Sequence, residues 1–90
     1  MTDEQADYIS LEVSLDGEQL FLSGDTAGLQ RMRNYLDRLI ANTNDGKFEH
    51  IHLMTPEWGG EELSSTQFFR DSTLIHHAKI YCVKGTVEQT

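Results

Sequence analysis

The stretch YISLEVSLDGEQLFLS, residues 8–23, decides the fold class of this 90-residue chain. Apolar and polar residues alternate over residues 8–15, which predicts a half-buried strand with one apolar face. Asp16-Gly17 follows as a two-residue turn signal, because glycine accepts the positive φ that tight hairpin turns require. Residues 19–23 then predict the returning strand. The stretch is therefore predicted to form a β-hairpin.

The same alternation assigns a face to each residue of the hairpin, because successive side chains of a strand point to opposite faces. Ser10 and Glu12 fall on the polar face, which is expected to be exposed. In the returning strand, Leu20 and Leu22 are predicted to face the core and Phe21 to face away.

One amphipathic helix is predicted after the hairpin. Either Asp25 or Thr26 can cap its N-terminus by accepting a hydrogen bond from a free N–H group. Gly28 weakens the first turn, which favours a start a residue or two later. The helix is expected to end near Asn42, before turn residues 44–46. Its apolar stripe has helical spacing and consists of Leu29, Met32, Leu36, Leu39 and Ile40.

Two further strands are predicted, over residues 48–54 and 73–83. In the first, Ile51 and Leu53 share one face, and Phe48, His50, His52 and Met54 share the other. In the second, the residues expected to face the core are Leu74, Ala78, Ile80 and Cys82, whereas Ile75, His77, Lys79, Tyr81 and Val83 face away. The form of residues 65–71 is left open, with Phe68 and Phe69 as its expected anchors.

The order strand, strand, helix, strand, strand predicts an α+β fold. We expect a small, mostly antiparallel four-stranded sheet with the helix packed on one face and the second face left open. The length predicts a single domain over residues 1–90, with flexible tails at 1–7 and 85–90.

The composition narrows the class of function. Seven basic and 15 acidic residues give a formal net charge of -8, which disfavours binding to nucleic acid or to anionic membranes. The charge favours a basic protein partner, although it is also consistent with a role in solubility alone. No apolar run reaches the ~20 residues that a membrane helix needs, and the acidic N-terminus is unlike a secretory signal, so the cytoplasm is the expected location.

Three histidines are the candidates for a metal site. His50 and His52 share a strand face, and His77 joins them if the third and fourth strands pair. Three converging imidazoles would suit zinc. The alternative is a polar open face on which the histidines act as hydrogen-bonding groups. Cys82 lies on the predicted core face with no charge beside it, so no catalytic residue and no cofactor are predicted.

Residues 55–64, TPEWGGEELS, form the most informative loop. Trp58 is the only tryptophan, and the two glycines after it permit a tight turn. Trp58 is either a lid that folds back over the sheet edge or an exposed anchor for a protein partner. Glu57, Glu61 and Glu62 surround it and predict a solvated acidic patch rather than an acid–base pair.

Three segments, HIHLMTPEWGGEELS (50–64), GDTAGL (24–29) and LIHHAKIY (74–81), together resemble the immunity protein 32 family of bacterial polymorphic toxin systems. The resemblance implies a protein that neutralises a cognate toxin by binding it, without catalysis. It marks as motif positions His52, Glu57, Trp58, Gly59, Gly60 and Leu63. We therefore expect the toxin, with a basic binding surface, to contact Trp58 together with His52, Glu57, Gly59, Gly60, Glu61 and Glu62. A metal-binding or metal-dependent domain built on His50, His52 and His77 is the alternative.

Overall fold

The computed structural model describes residues 7–43 and 48–83, and only the backbone of Phe48. Its elements in chain order are strands β1 (Ile9–Ser14) and β2 (Leu20–Gly24), helix α1 (Thr26–Asn42), strand β3 (Phe48–Met54), a 3₁₀ helix (Pro56–Trp58), and strands β4 (Ser72–Leu74) and β5 (His77–Val83). The predicted hairpin, helix and α+β fold are confirmed. The predicted turn at 44–46 and the tail at 85–90 lie outside the described residues, as do residues 1–6.

The strands form two antiparallel sheets instead of the predicted single sheet of four. One has the order β2-β1-β4 and the other pairs β3 with β5. The predicted strand over 73–83 is divided, because its first part pairs with β1 and its second part with β3. Hydrogen bonds continue across the division: the Ile75 N–H donates to the Leu11 carbonyl at 2.8 Å, and the Thr55 N–H donates to the His76 carbonyl at 3.0 Å. The two sheets are therefore joined by one continuous stretch of chain.

The division of this strand also shifts its side-chain alternation by one residue. Ala78 and Ile80 pack against the core as predicted, but Ile75 does so as well. Leu74 lies opposite Glu12 in the register, on the face away from the helix, so its predicted inward orientation is wrong. A regular strand cannot place both Ile75 and Ala78 on one face, and the irregular backbone at residues 75–76 resolves this conflict.

Helix α1 packs across one face of the two sheets. Its buried Met32 joins a core made by side chains of β1, β3 and the loop after β3, namely Ile9, Leu11, Leu53 and Leu63. The Asp25 side chain caps the helix by accepting from the Gly28 N–H at 2.7 Å, as one of the two predicted caps. Asp7, placed in the predicted tail, also holds this end of the helix: its carboxylate accepts from Arg31 Nε at 2.6 Å.

Gly28 lies inside the first turn of α1, and the helix does not start later as expected. The glycine is buried because the backbone of Tyr8 crosses directly over it, and a Cβ at this position would overlap the Tyr8 carbonyl oxygen. The close approach of the Tyr8 backbone, rather than helix propensity, explains why position 28 is a glycine.

We expect Gly28→Ala to lower the free energy of unfolding by about 2 kcal/mol or more, although alanine is the better helix former. The added methyl group would force the helix away from Tyr8. Urea denaturation would measure the effect. Ala27→Gly, at an exposed neighbouring position, is the control and should cost only about 1 kcal/mol. Equal losses in both variants would contradict the packing argument.

The predicted inward and outward faces of β2 are only partly correct. Leu20 and Leu22 lie opposite Val13 and Leu11, on the helix side, yet they are 67% and 49% exposed. They are exposed because β2 is an edge strand that the helix covers incompletely. Phe21 faces away from the helix as predicted, but it is half-buried, with its ring 4.6 Å from that of Phe69.

Residues 64–71 cover the face of β1 that was expected to be open. Glu12 is fully buried there. Its carboxylate accepts hydrogen bonds from the backbone N–H groups of Phe68 at 2.8 Å and Phe69 at 3.0 Å, from the Ser10 hydroxyl at 3.2 Å and from the Ser72 hydroxyl. Burial raises the pKa of Glu12, but these hydrogen bonds outweigh it, and the pKa lies below its ordinary value. The polar face of β1 thus holds an internal carboxylate.

Candidate functional site

Five aromatic rings form a continuous row on the face of the β3–β5 sheet that points away from the helix. In spatial order they belong to Tyr81, His50, His52, His77 and Trp58, with successive ring centroids 5.0, 4.8, 5.1 and 5.5 Å apart. We call this set the aromatic row. Tyr81 and Trp58 at its two ends are 50% and 57% exposed. The row is therefore a largely exposed aromatic surface.

The register of β3 and β5 builds this row. His50 lies opposite Tyr81, and Met54 lies opposite His77, so alternate residues of both strands share the open face. The predicted meeting of His77 with His50 and His52 is confirmed. Tyr81 was not among the candidate residues, although its parity with His77 along the strand could have identified it.

The three imidazoles form a chain rather than a set of ligands around one point. His52 Nε2 lies 3.1 Å from His50 Nε2, and His52 Nδ1 lies 2.8 Å from His77 Nε2. His52 contacts its two neighbours through opposite nitrogens of its ring, so the three rings do not converge on one point. Within residues 7–43 and 48–83, no group of three or more His, Cys, Asp or Glu residues is arranged to hold a metal ion. The geometry does not support the metal alternative.

The pKa of His52 is lowered from its ordinary value by loss of solvent contact and by the neighbouring His50, His77 and Lys79. The lowered pKa favours the neutral form of the His52 imidazole. A neutral imidazole has one donor and one acceptor nitrogen, which matches its position between two other rings.

A tightly turned loop positions Trp58 at the end of the aromatic row. The Thr55 carbonyl accepts from the N–H groups of Trp58 at 2.9 Å and Gly60 at 3.0 Å. The Thr55 hydroxyl lies 2.7 Å from His76 Nδ1, which ties the loop to the chain entering β5. Trp58 is exposed, with its ring next to that of His77. This exposure fits the anchor better than the lid.

The glycines and the leucine of the loop motif have structural roles. Gly59 has a φ of 90°, which a residue with a side chain rarely adopts. A Cβ on Gly60 would come within 2.6 Å of both the Cβ and the carbonyl oxygen of Met54. Leu63 is buried in the core, and its N–H donates to the Met54 carbonyl at 3.1 Å. These residues shape the loop that presents Trp58.

The three candidate carboxylates differ in their surroundings. Glu57 is exposed and accepts from the Ser65 hydroxyl at 2.6 Å, and this bond is the main reason why the pKa of Glu57 is lowered. Glu61 is exposed. Glu62 is half-buried, and its carboxylate accepts from the Met54 N–H at 3.0 Å. Glu57 and Glu61 thus present negative charge beside Trp58, whereas Glu62 helps to hold the loop.

Helix α1 on two small antiparallel sheets, with the aromatic row beside the Trp58 loop, defines a small α+β protein. Two members of the row, Trp58 and Tyr81, are of residue types that are enriched in protein interfaces. The chain belongs to the immunity protein 32 family, because the model of that family, described as Immunity protein 32, matches residues 19–78. The resemblance seen in the sequence is confirmed. Searches of curated proteins and of solved structures gave no match. Among the described residues, none of the helices has the length and apolar composition of a membrane-spanning segment.

Proposed function

We propose that this protein neutralises a cognate toxin by binding it directly through the aromatic row and the Trp58 loop. The exposed Trp58, held in place by an ordered loop and extended by four neighbouring rings, is the observation that carries the proposal. Family membership supports it, since an immunity protein acts on a toxin. The protein is proposed to act by occupancy, without a reaction of its own.

The shape of this surface favours tight binding. Tryptophan and tyrosine supply large contact areas at small cost in side-chain entropy, and residues of this kind dominate the energy of many interfaces. The Thr55 hydrogen bonds fix the loop before binding, so little conformational freedom is lost when the toxin docks.

The charge of the surface favours a basic toxin. Glu57 and Glu61 lie exposed beside Trp58, and the whole chain carries a formal net charge of -8. Many toxin domains that cut nucleic acid have basic substrate grooves, which an acidic inhibitor can occupy by charge complementarity.

The proposal predicts that a toxin gene lies beside the gene of this chain. The test is co-expression with that toxin, followed by calorimetry with the two purified proteins. The proposal requires growth rescue and a saturable complex. Rescue without a complex, or a complex that leaves the toxin active, would overturn it.

The double variant Glu57→Gln, Glu61→Gln should slow association with the toxin about threefold to tenfold at low salt and change dissociation little. Exposed charges steer the encounter, and added salt screens them, so the difference should vanish near 0.5 M salt. Stopped-flow fluorescence of Trp58 would measure both rates.

The matched control is Glu18→Gln with Asp37→Asn, which removes two exposed carboxylates on other elements, the β1–β2 connection and helix α1. If this control slows association equally, net charge and not the Trp58 loop directs the encounter.

A further inference from the structure

Among the described residues, strand β3 pairs with β5 along one hydrogen-bonding edge and with no strand along the other. The Thr55 N–H donates to the His76 carbonyl across the β5 side. Residues of an antiparallel strand alternate in the side to which their N–H and C=O groups point. Met54 therefore points the other way, and indeed its N–H donates to the Glu62 carboxylate and its carbonyl accepts from the Leu63 N–H. By the same alternation, the backbone groups of His50 and His52 point to the outer edge.

These outer backbone groups face a groove. No hydrogen bond from another described residue reaches the N–H or C=O of His50 or His52. A cavity of about 290 Å³ lies between this edge and the C-terminal half of α1. Its walls are residues 49–53 of the strand, Glu62, and on the helix Tyr35, Arg38, Leu39 and Asn42. Two donors and two acceptors at strand spacing thus border a groove beside the sheet.

We propose that an extended segment of the toxin binds in this groove and adds a strand to the outer edge of β3. The inference deepens the proposed function and rests on it. An added strand is held by main-chain hydrogen bonds, and an unpaired strand edge is the template it needs. The segment would pair with the N–H and C=O groups of His50 and His52.

Continuity with the aromatic row favours the toxin as the occupant. The side chains of His50 and His52 belong to the row, while their backbone groups form the groove edge. A toxin docked on Trp58 and the aromatic row would therefore also reach the outer edge of β3.

Charge favours the toxin over a second copy of this chain. Of the described residues that line the groove, Glu49 and Glu62 are acidic and Arg38 is basic. Pairing two copies along β3 would bring together two chains of formal net charge -8, whereas a basic segment is attracted.

Amide exchange with ¹⁵N-histidine labelling tests the proposal on the full chain. The label reports only four residues, His50, His52, His76 and His77. In the free protein the His50 and His52 amides should exchange quickly. Saturation with the toxin should slow both amides by at least about tenfold. His76, whose carbonyl accepts from the Thr55 N–H on the β5 side of β3, lies away from the groove and is the reference, and its exchange should not change.

A matched pair of variants isolates the backbone group from the side chain. His52→Ala and His52→Pro both lack the imidazole, but only proline lacks the N–H. Proline is tolerated in an edge strand where the N–H makes no ladder bond. His52→Pro should bind the toxin about tenfold more weakly than His52→Ala. If His52→Pro does not fold, the exchange measurement on the native chain still decides.

The outcomes separate the two proposals. A toxin that binds tightly while both amides continue to exchange overturns the groove proposal and leaves the proposed function standing. Slow exchange of both amides without toxin, together with a dimer in solution, overturns the choice of the toxin as occupant. Absence of any complex with the toxin overturns both proposals.

Discussion

Trp58→Ala should weaken binding to the toxin by about 30-fold or more and leave the fold intact. A loss of this size is typical when a central aromatic residue of an interface is truncated. Trp58 is 57% exposed, and the ring of His77 is its aromatic neighbour, so its removal leaves no cavity in the core. We expect the free energy of unfolding to change by less than about 1 kcal/mol. Calorimetry with the toxin and urea denaturation measure the two effects.

Leu20→Ala is the matched control for this variant. Leu20 is 67% exposed and lies on edge strand β2, in the other sheet. Its truncation removes comparable exposed apolar surface and should leave toxin binding unchanged. Unfolding of Trp58→Ala would restore the lid hypothesis, and equal loss of binding in both variants would place the toxin elsewhere.

Glu12→Gln should lower the free energy of unfolding by about 3 kcal/mol, the largest loss of stability expected from a change that conserves side-chain size. The carboxylate accepts from four donors, two backbone N–H groups and two hydroxyls. A glutamine would turn an NH₂ group toward some of these donors and leave them unsatisfied in a buried place. Thermal and urea denaturation would measure the loss.

Glu18→Gln is the control, because Glu18 is exposed in the hairpin turn and its change should cost less than about 0.5 kcal/mol. Similar stability of the two variants would mean that Glu12 does not organise residues 64–71.

The stability contributed by Glu12 should also depend on pH. Its pKa in the folded protein is below the ordinary value of 4.5, because its hydrogen bonds favour the charged form. The contribution is therefore fully present above pH 4.5 and is lost as the pH falls through the lower folded value. The difference in unfolding free energy between the native chain and Glu12→Gln should shrink with acidification over that range. A constant difference from pH 7 to about pH 3 would contradict this assignment.

Local patterns were sufficient to predict much of this protein. The alternation around the Asp16-Gly17 turn predicted the hairpin, and the spacing from Leu29 to Ile40 predicted the helix. The parity of His50 and His52 placed both on one face, where the structure has them. The loop motif pointed to Trp58 and to the immunity protein 32 family. Each of these signals lies within a short stretch of sequence. Over such a stretch the geometry of a helix or strand relates the spacing of residues to the direction of their side chains.

Only the tertiary structure determined what covers each face and edge. Alternation placed Glu12 on the face away from the helix, but residues 64–71, which bury it, are more than 50 residues away in the chain. The backbone at residues 75–76 is irregular because the chain pairs with β1 before this point and with β3 after it. No local sequence pattern indicates this change of partner. The aromatic row and the groove beside β3 likewise depend on which strands are neighbours. Strand periodicity specifies the direction of a side chain, whereas its partner is selected by packing between segments distant in sequence.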